Sequence, residues 1–252
     1  MLRILMIANS FGEDSTKYLH SLAAQAGTDC RVVNLYIGGC SLETHWQNVR
    51  TGAARYQYQL NGVITERYVS IEEVLREEPW DMVVTHQVSN DCGWMDSYEP
   101  FLPNLLSFIR LHAPQARLFL QETWAYEPDS THPAFARYNH DQQEMYRRLH
   151  LCYTTMAEKY GLTLIPSGTI IQAARQLPAF RKENGGMSIC RDGYHMSFLY
   201  GRYLLACIWA KKLLGVSLKD STFVPSSPAV KEAADPALLA QLRQLADEGV
   251  TG

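Results

Sequence analysis

The 252-residue chain is most easily placed by what it lacks. No apolar run approaches the roughly 20 residues that a membrane span needs, so no membrane partner is expected. Lys and Arg number 23 against 26 Asp and Glu, and neither sign gathers into a block. That disfavours a nucleic-acid partner, because phosphate binding asks for a basic face. The six cysteines (Cys30, Cys40, Cys92, Cys152, Cys190, Cys207) form no Cys-x-x-Cys pair and no dense framework, a usage that suits free thiols in a reducing compartment. No His-x-x-x-His pair occurs, and His132, His140 and His150 are spaced irregularly, so the expectation is no metal and no cofactor. Residues 8 to 14 are not glycine-rich, which removes the phosphate-cradle pattern of a nucleotide-binding module. A cationic segment followed by a signal-length apolar stretch is also missing at the start. As the chain stands it reads as cytoplasmic, whereas a leader removed beforehand would make it periplasmic or secreted.

What is present is a regular alternation. Apolar runs bounded by turn signals lie at 2 to 8, 31 to 36, 81 to 86, 117 to 121 and 162 to 165, with helix-period stretches between most of them. Short buried strands alternating with helices imply an α/β fold, a parallel five-stranded sheet covered on both faces. The periodicity predicts helices from about Asp14 to Ala26, from Pro100 onward, from about Pro133 to Tyr160, and over Ser197 to Leu214. One segment breaks the alternation. Strand-like runs flank Asn61-Gly62, and a two-residue Asn-Gly loop between such runs predicts an inserted β-hairpin at about 55 to 70. With no linker before the tail, residues 1 to 216 read as one domain. Residues 217 to 252, Ser-Pro-rich and then a polar helix from Pro236 to Glu248, read as an extension packed on the same domain.

Ser10 follows the first apolar run in Ala8-Asn9-Ser10-Phe11, and Asp192-Gly193-Tyr194-His195 lies near the far end. A serine after a strand is most often a helix cap, and Asp-x-x-His is common on surfaces. Together they hold the parts of a hydrolytic triad: a hydroxyl nucleophile, an imidazole base and a carboxylate that orients it. Gly39, Gln87 and Asn90 also follow the ends of predicted strands. In open parallel sheets the ligand crevice lies outside those carboxyl ends, so one sheet edge gathers all these candidates.

Ala8-Asn9-Ser10, Gly39-Cys40-Ser41 after the second strand, Asn90-Asp91 after the third and Asp192-x-x-His195 resemble the blocks of the SGNH (GDSL-type) hydrolase superfamily. Val88 stands where the third block has its glycine. Longer strings, among them Gly38-Gly39-Cys40-Ser41-Leu42-Glu43, Gln87-Val88-Ser89 and Thr123-Trp124-Ala125-Tyr126, resemble a bacterial branch known mainly as a domain of unknown function. The resemblance implies a three-layer α/β/α sandwich with flavodoxin-like strand order and a serine esterase acting through an acyl-enzyme. It also implies an oxyanion site made by the backbone N–H groups of Ser10 and Gly39 and an amide from Gln87 or Asn90. The branch reads Gln-x-Ser at block three, which favours Gln87. The loop or hairpin aromatics Trp46, Trp94, Trp124 and Tyr126, with His45, are candidate substrate contacts, since flat rings with polar tips suit sugar faces. The expected substrate is therefore a glycan ester or another small polar ester, with acetyl as the acyl group. A lysophospholipase or thioesterase, or a flavodoxin-shaped binding module without catalysis, stand as alternatives.

Overall fold

The computed structural model describes residues 1–250. In chain order the elements begin β1 (Leu2–Ala8), α1 (Ser10–Thr16), α2 (Leu19–Gln25), β2 (Cys30–Tyr36), α3 (Leu42–Thr51), β3 (Tyr56–Leu60) and β4 (Val63–Val69). They continue with α4 (Ile71–Glu77), β5 (Met82–Thr85), α5 (Phe101–His112), β6 (Arg117–Gln121), α6 (Gln142–Tyr160) and β7 (Thr163–Ile165). Last come α7 (Ser167–Ala174), α8 (Tyr200–Leu214) and α9 (Pro236–Gly249). Among the described residues no helix is long and apolar enough to cross a membrane.

The five apolar runs become β2, β1, β5, β6 and β7, parallel and in that spatial order. This is the flavodoxin-like arrangement, with helices over both faces. The sheet nevertheless has seven strands rather than five. The hairpin does not stand apart as an insertion: β3 pairs antiparallel with β2 and β4 with β3, so both extend the sheet at one edge. Its turn works as the Asn-Gly sequence requires, with φ of 50° at Asn61 and 76° at Gly62, the pair of positive values a two-residue hairpin loop demands. Side chains then hold the register. Asn61 Oδ1 accepts from the Val32 N–H at 2.9 Å, and buried Asn34 donates to Gln59 at 2.8 Å. A Cβ at Gly62 would lie 2.2 Å from the Lys17 carbonyl oxygen, so the hairpin tip seats where only glycine fits.

Two long helices expected from periodicity are each divided. The first starts at Ser10, capped by Asn9, whose side chain accepts from the Phe11 N–H. It breaks after Thr16 and resumes at Leu19, with the Tyr18 hydroxyl donating to the Phe198 and Ser226 carbonyls. The second is a 3₁₀ turn, Pro133–Tyr138, and then α6, separated by Asn139 and His140 at positive φ. Asp141 caps α6 by accepting from the Gln143 and Glu144 N–H groups. An apolar stripe continues through such breaks because packing, and not the cap, sets the period. Helix α8 is buried almost all round and lies against α1, α2, α7 and α9. The last helix, α9, buries Leu239, Leu242 and Ala246, so the tail covers apolar surface on α7 and α8.

At the end of β6, Glu122 is fully buried and accepts from the Thr169 N–H at 2.8 Å and from His150 at 2.7 Å. The bond to Glu122 raises the pKa of His150 above the usual histidine value, against a smaller opposing effect of burial. A raised folded-state value means that the pair's stabilisation is complete below the unfolded pKa and is lost as pH rises through the folded one. Wild type should therefore exceed His150→Gln in urea stability at pH 5.5, and the gap should shrink by pH 8.5. A gap that stays constant or grows across that range would contradict the linkage.

Candidate active site

The strand ends deliver the site. β1 stops at Ala8, Asn9 turns the chain with extended backbone, and Ser10 is the first residue of α1. Its Oγ lies 2.8 Å from His195 Nε2, and His195 Nδ1 lies 2.7 Å from Asp192 Oδ2. The other Asp192 oxygen accepts from the backbone N–H of His195 at 2.8 Å and of Tyr194 at 3.2 Å. Burial pulls the Asp192 pKa upward, but the bonds from His195 and these amides outweigh it and hold the carboxyl below its ordinary value. An ionised Asp192 fixes the imidazole proton on Nδ1, which leaves the Nε2 lone pair for the Ser10 hydroxyl.

The histidine segment is held by a clamp that sequence reading missed. Asp14, one turn beyond Ser10 on α1 and fully buried, accepts at Oδ1 from Arg191 at 2.9 Å and from Arg202 at 2.7 Å. Its Oδ2 accepts from the Met196 N–H at 2.9 Å. Arg191 reaches the Met196 carbonyl as well. Behind the segment, Trp124 stacks on Phe11 with centroids 4.1 Å apart and donates its indole N–H to the Tyr194 carbonyl at 2.7 Å.

Ser10, Gly39 and Asn90 meet in a cleft of about 270 Å³ whose wall also includes Tyr36, Val88, His132, Tyr194 and His195. Gly39 has a φ of 64°, which suits glycine. Among the described residues, the Ser10 and Gly39 N–H groups have no hydrogen-bond acceptor. Asn90 Oδ1 accepts from the Tyr126 hydroxyl at 3.2 Å, and its amide nitrogen has no protein partner. Three donors without a protein acceptor thus belong to residues of the cleft wall.

Gln87 is elsewhere. It is buried under the loop, where Oε1 accepts from the Leu42 and Val88 N–H groups at 3.0 and 2.9 Å and Nε2 donates to Ser97. With its whole amide engaged, the preference for Gln87 over Asn90 is corrected: Asn90 is the residue in the cleft wall.

The five expected substrate contacts also lie off the cleft wall. His45 is fully buried and bonded to the Tyr56 hydroxyl at 2.9 Å, and burial, with a lesser contribution from His86, pushes its pKa down to about 3. Trp46 is half-buried on α3. Trp94 is flanked by the guanidinium groups of Arg137 and Arg148 at 4.7 and 4.8 Å. Trp124 and Tyr126 are fully buried supports, the latter also donating to Ser89 at 2.9 Å. The rings that do line the cleft, besides His195, are Phe11, Tyr36, His132 and Tyr194. Tyr36 ends β2 and Tyr194 adjoins His195, so position alone could have found those two. Among the described residues, no group of three or more His, Cys, Asp or Glu side chains is placed to hold a metal ion.

A model of the family described as a domain of unknown function (DUF4886) matches residues 3–240. A DUF4886 family protein from Bacteroides uniformis is 35% identical, with 98% of this chain and 94% of that one covered and a TM-score of 0.87. A putative SGNH hydrolase from Slackia heliotrinireducens is 21% identical, covering 83% and 97% of the two chains at a TM-score of 0.56. Axe2, an acetylxylan esterase from Geobacillus stearothermophilus, is 14% identical, covering 83% and 93% at 0.51. The last two share the fold. Comparison with curated proteins finds no match.

Removing the Asp14 carboxylate would leave Arg191 without its carboxylate partner and Arg202 with Glu13 alone, at 3.2 Å. Asp14→Ala should therefore lose about 3 to 5 kcal/mol in urea unfolding, the usual cost of breaking a buried ion pair from one side. A loss under about 1 kcal/mol would show that Arg191 and Arg202 find other partners.

Proposed function

The chain belongs to the family of the domain of unknown function DUF4886, and from its cleft we propose that it is a serine ester hydrolase. It removes a short acyl group, acetyl foremost, from a carbohydrate or another small polar ester through an acyl-enzyme. The observation that carries this reading is the Ser10–His195–Asp192 relay at 2.8 and 2.7 Å. A serine hydroxyl is a weak nucleophile at neutral pH and needs a base within such reach. His195 takes the Ser10 proton as Oγ attacks the ester carbonyl, then returns it to the leaving alcohol, and water repeats the sequence on the acyl-enzyme. The tetrahedral oxyanion is held by the Ser10 and Gly39 N–H groups and the Asn90 amide. Donors already oriented by the fold need no reorganisation as charge develops. A cleft of about 270 Å³ with walls part polar and part apolar suits a short acyl group better than a lipid chain, and the acetylxylan esterase with this fold points the same way.

Ser10→Ala should reduce hydrolysis of an aryl acetate by several powers of ten without loss of fold, because only oxyanion and binding contributions survive. His195→Ala should match it, and a fluorophosphonate probe should label wild type alone. An unchanged rate in Ser10→Ala would end the proposal. Acetate should also be preferred to octanoate, the reverse order favouring the lysophospholipase or thioesterase alternative.

The two amides should separate cleanly. Asn90→Ala should lower kcat about a hundredfold to a thousandfold with little change in KM, as loss of an oxyanion donor does. Gln87→Ala should chiefly lower the unfolding temperature, since its amide ties Leu42, Val88 and Ser97 together. A crippled kcat in a fully stable Gln87→Ala beside a near-normal Asn90→Ala would reverse the assignment.

A further inference from the structure

His132 enters the cleft wall from the loop before the Pro133–Tyr138 turn, and the reaction described above gives it nothing to do. Its ring is fixed on two sides. The Tyr126 and Tyr194 ring centroids each lie 4.7 Å away, and Tyr194 in turn lies 4.3 Å from His195. Nδ1 accepts the Ala134 N–H at 3.1 Å, capping the turn. An accepting Nδ1 carries no proton, so the single hydrogen of the neutral ring resides on Nε2. Protonation would set Nδ1–H against the Ala134 N–H. Burial first, and then the nearness of His195, lower the His132 pKa in the same sense. Nε2–H therefore stands as a donor, and no protein group accepts from it.

Its place decides which half of an ester it meets. The Ser10, Gly39 and Asn90 donors surround the carbonyl oxygen, whereas the leaving oxygen must lie by His195 Nε2 to receive its proton. His132 stands next to Tyr194, which in turn adjoins His195, so a group that extends from the leaving oxygen past His195 comes to it. We infer that His132 is a specificity-determining residue, whose Nε2–H donates to a hydroxyl or ring oxygen of the alcohol half and so selects short-chain acyl esters of polyols and sugars over esters of plain alkyl alcohols. The inference rests on the ester-hydrolase reading of Ser10 and adds the residue that reads the alcohol.

Two substitutions separate this role from capping. His132→Asn can keep an acceptor near the Nδ1 position for Ala134 but has nothing at the Nε2 position, while His132→Gln keeps an amide donor there at the expense of the cap. The measurement is the ratio of kcat/KM for a monoacetylated methyl glycoside to that for butyl acetate. The ratio should fall about tenfold in His132→Asn, the scale of one lost hydrogen bond, and stay within about threefold of wild type in His132→Gln. A ratio that falls in His132→Gln but not in His132→Asn would make His132 a cap only and overturn the inference, as would a fall in both or in neither. Wild type that neither takes up a fluorophosphonate probe nor turns over either ester would overturn the hydrolase reading itself, and this assignment with it. Labelled, active wild type with the wrong ratio pattern overturns the assignment alone.

Discussion

Asp14 places a carboxylate where no solvent reaches it, and it is tolerable there because two guanidinium groups and a backbone N–H face it. Such a cluster is no bargain in stability, since apolar side chains of similar volume commonly do as well. Its consequence is geometric. Arg191 and the Met196 N–H tie residues 191 to 196 to α1 through it, and in that arrangement His195 Nε2 lies 2.8 Å from Ser10 Oγ across 185 positions of chain. Asp14 sits one turn from Ser10 on the same helix, so Ser10 and the anchor of the His195 segment share one element.

A second tie gathers the strand ends. Asn9 accepts from the Phe11 N–H to start α1 and donates to the Cys40 carbonyl at 2.9 Å, while its oxygen also lies 3.0 Å from His86 Nε2. One buried side chain thus links the loops that follow β1, β2 and β5. These three strands are neighbours in the sheet, so their carboxyl ends open on the same crevice. The hairpin braces the far side of β2 and the C-terminal helix braces α8, which leaves the cleft among the loops. Buried polar groups that are fully paired rigidify what they join.

Much of this was legible in one dimension, for definite reasons. Five buried strands announce themselves as apolar runs because both faces of each are covered, and Asn61-Gly62 announces a hairpin because few other pairs take two positive φ values. Ser10, Gly39, Asp192 and His195 could be named as candidates because their residue types and positions in the chain limit what chemistry they can do. The preference for Gln87 over Asn90 let sequence adjacency stand in for direction: the Gln87 side chain turns under the loop, where its oxygen accepts from two backbone N–H groups and its nitrogen donates to Ser97. The loop aromatics misled similarly. Trp124 and Tyr126 carry the look of a sugar platform but are packed behind Phe11 and Ser89.

By itself, then, the sequence determined the α/β architecture and the parts of the relay, because periodicity and residue chemistry are local properties of the chain. Tertiary structure alone decided that the hairpin joins the sheet as its sixth and seventh strands, that Asn90 rather than Gln87 reaches the cleft, and that Asp14 clamps the histidine segment. It also decided that Tyr36, His132 and Tyr194 line the cleft beside Phe11 and His195. Each of these depends on which groups separated by tens or hundreds of residues compete for the same donor or the same buried space, and that competition is settled only when the chain has closed on itself.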